Sequence, residues 1–231
     1  MITRIISGII GIGIAGYVIQ TGGTTFTVAA AVLAALAWFE YTRAFSHRGG
    51  SPALFSGILG IGGMLYGAFI GQESVILLAL IASSILALMT CVLLRGDVSV
   101  HDATVSVAGI CYIGMPFALL ILLRNMTGPV YTTPIETFSC GAVMVWVMFI
   151  GTWASDSFAY FAGRAFGSHK LAPAISPNKT IEGFFGGLIG TIAVVVGLGW
   201  LLAMPLPQMA GLGAAIAVLG TLGDLVESMM K

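Results

Sequence analysis

Long apolar runs, broken by short polar stretches, fill this chain. Runs at about 5–20, 24–41, 53–71, 74–94, 104–123, 139–158, 183–203 and 209–226 predict eight helices. Their apolar positions are continuous, whereas a barrel strand would alternate and a water-facing helix would keep a polar stripe. Several runs approach the roughly 20 residues needed to cross hydrocarbon. A helix is also the element that satisfies its own backbone there. The expected fold is therefore all-α, a polytopic transmembrane helical protein of about eight spans. Residues 1–231 form a single integral-membrane domain with one long polar loop, 159–182. The run after Arg4 has the length of a signal-peptide core, but no small-x-small site follows it, so it is read as a retained span.

Composition agrees. The chain is 58% apolar and 8% charged, against roughly 25% charged in a soluble domain. Its net charge is zero, which gives no basis for a nucleic-acid partner. Cys91, Cys111 and Cys140 are far apart in apolar segments and read as reduced packing residues. Charge sets the orientation. With the N-terminus cytoplasmic, eight of the nine basic residues fall inside: Arg4, Arg43, Arg48, Arg95, Arg164, Lys170, Lys179 and Lys231, leaving Arg124 outside. That bias follows the positive-inside rule and places the 159–182 loop in the cytoplasm.

Several local patterns have structural explanations. GIGIAG at 11–16 matches a dinucleotide-binding pattern, but it lies inside an apolar run with no preceding strand. Close helix packing through small residues is the expectation there and for GILGIGG at 57–63. In WFEYTRAF at 38–45, Trp38 and Tyr41 suit a membrane interface. Asp102, beside His101, suits the cap of the next helix.

Three polar clusters remain. Asp156 ends an otherwise apolar span, where a carboxylate costs about 2.5–3.5 kcal/mol to insert and marks a functional site. On a continuing helix Asp156, Tyr160 and Gly163 share a face, with Arg164 one turn beyond Tyr160. Next, SPNKTIEG at 176–183 reads as a helix start with Ser176 as N-cap and Pro177 at the first position. Such a terminus attracts anions. Lys179 in its first turn opposes the helix dipole unless a phosphate binds there. Thr180 adds a donor, and Glu182 is a pairing or metal-side group. Last, GDLVESMMK at 223–231 puts Asp224, Glu227, Ser228 and Lys231 on one helical face. Asp224 and Glu227 suit a hard cation such as Mg²⁺, which takes one or two carboxylates and completes its shell with water and phosphate oxygens. Cationic groups and carboxylates on one side of a membrane suggest phosphoryl or nucleotidyl transfer.

The stretches SDSFAYFAGRAFGSHKLAPAISPNKTIEGFFGG at 155–187 and GDLVESMMK at 223–231 resemble the phosphatidate cytidylyltransferase (CDP-diacylglycerol synthase) family. The resemblance implies a polytopic membrane enzyme of phospholipid biosynthesis that joins CTP to phosphatidic acid, with Mg²⁺. It implies a bacterial cytoplasmic-membrane location and a polar funnel facing the cytoplasm. By resemblance Asp224 is a metal carboxylate, with Ser228 and Lys231 beside it as phosphate or substrate contacts. Ser176, Lys179 and Thr180 would hold phosphates, and Asp156, Tyr160 and Arg164 would line the nucleotide or metal site. The family signature continues past the position of Lys231 with a second metal carboxylate and a last span, so the resemblance implies a site completed by further sequence, a second chain or a homodimer. Two rivals stay open: a CTP-dependent lipid-alcohol kinase, and a non-catalytic membrane subunit or transporter. The charges lie at helix ends rather than mid-span, which disfavours transport.

Overall fold

The computed structural model describes residues 2–47, 53–93, 99–132 and 136–230. A helix lies under each predicted run: α1 (Ile2–Thr21), α2 (Gly23–Ser46), α3 (Leu54–Phe69), α4 (Glu73–Leu93), α5 (Val100–Gly109), α6 (Met115–Arg124), α7 (Cys140–Phe166), α8 (Ile181–Leu201) and α9 (Leu206–Met230). A π-helical turn, Ile110–Gly114, joins α5 to α6 in one rod. Pro116 explains it, since a proline cannot donate to the carbonyl one turn back. Six of these helical segments are long and apolar enough to cross a membrane; Ile10–Thr21 and Leu54–Phe69 are shorter apolar helices. Two-stranded hairpins, β1–β2 (Tyr131–Thr132, Thr137–Phe138) and β3–β4 (Lys170–Ala172, Ser176–Thr180), complete the described elements.

The chain divides into two compact units, residues 1–142 and 143–231. In the first, α3 packs most extensively on α4. The turn between them uses Gly71 at φ 69°, a backbone state that glycine adopts without strain. A side chain at Gly60 would meet Ser83, one at Gly63 would meet Ala79, and one at Gly67 would meet Ile76. These pairs run in antiparallel register, so the small-residue expectation holds for 57–63. It does not hold at Gly11 and Gly13, where a side chain would meet nothing within 4 Å among the described residues.

Trp38, expected near a membrane interface, is covered by the protein itself. It is 2% exposed, and its Nε1 donates to the Leu54 carbonyl at 3.1 Å. Gly57 and Gly109 leave room for its ring. Burial wins because the indole N–H finds a partner inside. Tyr41 stacks on Trp38 at 5.7 Å and donates to the Val105 carbonyl at 2.8 Å. The cap of α5 is Ser99 rather than Asp102; Asp102 sits at the third helical position and completes a capping box by accepting from the Ser99 N–H. Cys111 is exposed and Cys140 is buried, both as free thiols. Arg124 is 8% exposed. Its Nε and Nη2 donate to the carbonyls of Ile19 and Gln20 near the end of α1, where a helix dipole favours a cation.

In the second unit, α8 packs against both α7 and α9. The α7–α8 seam is glycine: a side chain at Gly183, Gly186, Gly187 or Gly190 would meet Ala159, Ala162, Ala159 or Phe158 respectively. These four positions follow the i, i+3, i+4, i+7 rhythm of one helical face.

Candidate active site

The polar residues of the second unit converge on a cavity of about 750 Å³. Helix α7 builds one wall. Its C-terminal turns continue past the predicted span end at 158, so residues 159–166 of the expected loop are helical. That extension keeps Asp156, Tyr160, Gly163 and Arg164 on one face, and all four line the cavity. Arg164 Nη1 donates to the Tyr160 hydroxyl at 2.9 Å, an i, i+4 contact.

The β3–β4 hairpin supplies a second wall and corrects a prediction. Ser176 does not cap a helix; it begins strand β4, which pairs with β3 through Lys170 opposite Thr180 and Ala172 opposite Ser176. The residue before a proline is biased toward extended backbone, and strand pairing uses that bias at Ser176-Pro177. Helix α8 starts later, at Ile181. Thr180 is its N-cap, its Oγ1 accepting from the Gly183 N–H at 3.1 Å. Lys179 therefore sits just before the helix rather than in its first turn. Ser176, Lys179 and Thr180 still line the cavity, with Asn178 beside them.

Helix α9 brings Asp224 to the same cavity, with Thr221 one turn earlier. Lys179 Nζ donates to Asp224 Oδ2 at 2.9 Å, across 45 residues of sequence. The two motifs singled out in the sequence thus meet as an ion pair. Asp156 is within electrostatic reach of both partners.

Other expected groups do not line the cavity. Glu182 turns to the hairpin: its carboxylate contacts His169 Nδ1 at 2.7 Å and accepts from the His169 N–H at 3.2 Å. The Ile181 N–H donates to the His169 carbonyl at 2.9 Å, so Glu182 helps fasten β3 to the start of α8. Ser228 Oγ donates to the carbonyl of Asp224 at 2.8 Å. Neither Ser228 nor Glu227 lines the cavity. Lys231 lies outside the described residues. Sequence reasoning missed Ser155, Asn178, Thr221 and Phe184, which also line it. Thr221 lies three residues before Asp224, a helical spacing that could have placed it.

The donor set bears on whether Mg²⁺ fits. No group of three or more His, Cys, Asp or Glu side chains forms a metal cluster among the described residues. Asp156 and Asp224 nevertheless offer hard oxygen donors to one cavity. One or two carboxylates completed by phosphate and water is the arrangement that Mg²⁺ favours. The residues fit a cation that arrives with a phosphate ligand.

Residues 2–231 match the model of the cytidylyltransferase family. The chain is 33% identical over 235 residues to the phosphatidate cytidylyltransferase of Staphylococcus haemolyticus, covering 100% of this chain and 85% of that protein. It is 28% identical over 235 residues to the phosphatidate cytidylyltransferase of Bacillus subtilis, covering 99% and 83%. With the Staphylococcus epidermidis protein of the same name, identity is 36% over 154 residues, covering 66% and 54%.

Proposed function

This chain belongs to the cytidylyltransferase family, and from that premise we propose that it joins CTP to phosphatidate, giving CDP-diacylglycerol and pyrophosphate. The observation that carries the reading is the meeting of Lys179 and Asp224 in a cavity that also holds Asp156 and Arg164. A phosphate-rich substrate pair needs cations, and a cation cofactor needs carboxylates; the cavity supplies both.

The chemistry asks for little from a general base, because a phosphate monoester is already an anionic nucleophile. One of its oxygens bonds to the α-phosphorus of CTP while the bond from that phosphorus to the β-phosphate oxygen breaks. Catalysis is then positioning and charge neutralisation. Lys179 binds phosphate oxygens once they draw it from Asp224. Thr180 and Ser176 offer hydroxyl donors beside it. Asp224 and Asp156 would hold Mg²⁺, which when bound neutralises phosphate oxygens and orients them. The protein is an integral membrane protein. Its proposed setting is the bacterial cytoplasmic membrane with the site facing the cytoplasm, a reading supported by the eight-to-one distribution of basic residues.

The test is turnover by the full chain in lipid nanodiscs with labelled CTP and phosphatidate. The expected products are CDP-diacylglycerol and pyrophosphate. Lipid phosphate with CDP, from a lipid alcohol, would instead identify a kinase. Asp224→Ala is expected to abolish the Mg²⁺-dependent turnover; near-normal turnover would remove Asp224 from the metal role.

A further inference from the structure

We propose that Arg164 is the arm that holds the departing pyrophosphate, and that Tyr160 is the positioning residue that aims it. The proposal rests on the cytidylyltransferase reading and assigns one end of the reaction to particular atoms.

Among the described residues, the two cations that line the cavity are in different states. Lys179 is ion-paired with Asp224, so its charge is already balanced. Arg164 leans on a phenol hydroxyl, a neutral group. Among the described residues no carboxylate lies in an ion pair with it. Among the described lining residues its guanidinium is the cation held by a neutral group rather than by an ion pair. A guanidinium also presents a planar fork that grips two phosphate oxygens at once.

Helix α7 sets its level. At 1.5 Å per residue, Arg164 lies about 12 Å along the axis from Asp156, in the last turn of the helix. Asp156 ends the apolar run, and Arg164 lies beyond it, in the polar stretch. The two phosphate sources arrive from different media. Phosphatidate is tethered by acyl chains that stay in hydrocarbon, whereas the triphosphate enters from water and pyrophosphate returns to it. Arg164, beyond the apolar run in the last turn of α7, is the cation assigned to the β- and γ-phosphates, and Lys179 begins paired with Asp224. Negative charge also grows on that leaving group as its bond to the α-phosphorus breaks, and fixed cations act most strongly where charge develops. The Tyr160 hydroxyl occupies one of the guanidinium's donors and leaves the others for phosphate.

Both side chains are exposed, Tyr160 at 58%, so their replacement should spare the fold. The experiment compares wild type, Arg164→Met, Tyr160→Phe and the double variant. It measures the KM of each substrate, inhibition by pyrophosphate, and pyrophosphate binding by calorimetry. Arg164→Met is expected to weaken pyrophosphate by about tenfold or more, as for a lost charge-assisted contact. The KM for CTP should rise with it while that for phosphatidate stays put. Tyr160→Phe should give a smaller loss of the same kind, and should add nothing in the Arg164→Met background. A raised KM for phosphatidate with unchanged pyrophosphate binding would overturn the assignment. Additive losses in the double variant would overturn the positioning role of Tyr160. If wild type forms no CDP-diacylglycerol, the cytidylyltransferase reading falls, while calorimetry with pyrophosphate still decides the role of Arg164.

Discussion

Thr180 holds two positions at once. Its Oγ1 accepts from the Gly183 N–H, closing the start of α8, and its side chain faces the cavity. Thr180→Val keeps the shape and removes the acceptor. The expected cost is about 1 kcal/mol, or about 2–4 °C in Tm for a chain of this size. Thermal unfolding in detergent micelles checks it: Thr180→Ser should restore the Tm, and a Thr180→Val melting point equal to wild type would exclude the cap. The residues of this site were mostly legible in the sequence, because charged groups in a greasy chain are rare enough to stand out. Asp156 stood out by its insertion cost, Lys179 by its place at a predicted helix start, and Asp224 by the polar stripe it shares with Glu227. What stayed hidden was their local geometry. Ser176-Pro177 carries a helix-start signal as strong as that of Thr180, and the pairing of β4 with β3 decides between them. Ser155, Asn178 and Thr221 gave no such signal, since neutral polar residues are common at helix ends.

At the scale of elements, the α7–α8 seam positions the wall that carries Asp156, Tyr160 and Arg164. A Cβ at Gly187 would lie 3.1 Å from both the Ala159 Cβ and the Ser155 carbonyl oxygen. Gly187→Leu should therefore push α8 from α7, lower the Tm, and depress turnover through loss of geometry at Ser155 and Asp156. Gly211→Leu, where a Cβ meets nothing within 4 Å, is the control and should leave both readouts near wild type. Equal behaviour of the two variants would refute the seam. Helix positions were the easiest feature to read, because hydrocarbon thickness sets the length of each apolar run. Packing partners were harder: GIGIAG and GFFGGLIG look alike in composition, yet Gly11 and Gly13 of α1 meet no neighbour among the described residues and α8 buries several of its glycines. Glycine shows where close approach is allowed, and only the neighbouring helix makes it happen. The buried Trp38 teaches the same lesson, since a tryptophan near a span end fits an interface unless a notch such as Gly57 and Gly109 receives it.

For the whole molecule, the eight-span reading with a cytoplasmic N-terminus makes a topological prediction. It places the β3–β4 hairpin in the cytoplasm and the β1–β2 hairpin outside. With Cys91, Cys111 and Cys140 replaced, Ala174→Cys should react with a membrane-impermeant maleimide in inside-out vesicles and be protected in intact spheroplasts. Thr132→Cys should do the reverse. Labelling of both from the same side would mean that the number of crossings between them is even, and the span count would fall. Charge distribution could predict this arrangement because it is read during insertion, whereas the meeting of Lys179 with Asp224 depends on folded contacts that no hydropathy profile carries.

Among the described residues, those that line the cavity lie between Ser155 and Asp224, within the second compact unit. In the order of synthesis, α1 to α6 leave the ribosome before the first of these groups exists. The hairpin then emerges with Lys179 lacking its partner, and it stays so until α9 delivers Asp224. The Lys179–Asp224 pair therefore forms late in biogenesis, once α9 is in place. A nascent chain stalled ahead of that helix would present the basic side of the site without the carboxylate that balances it.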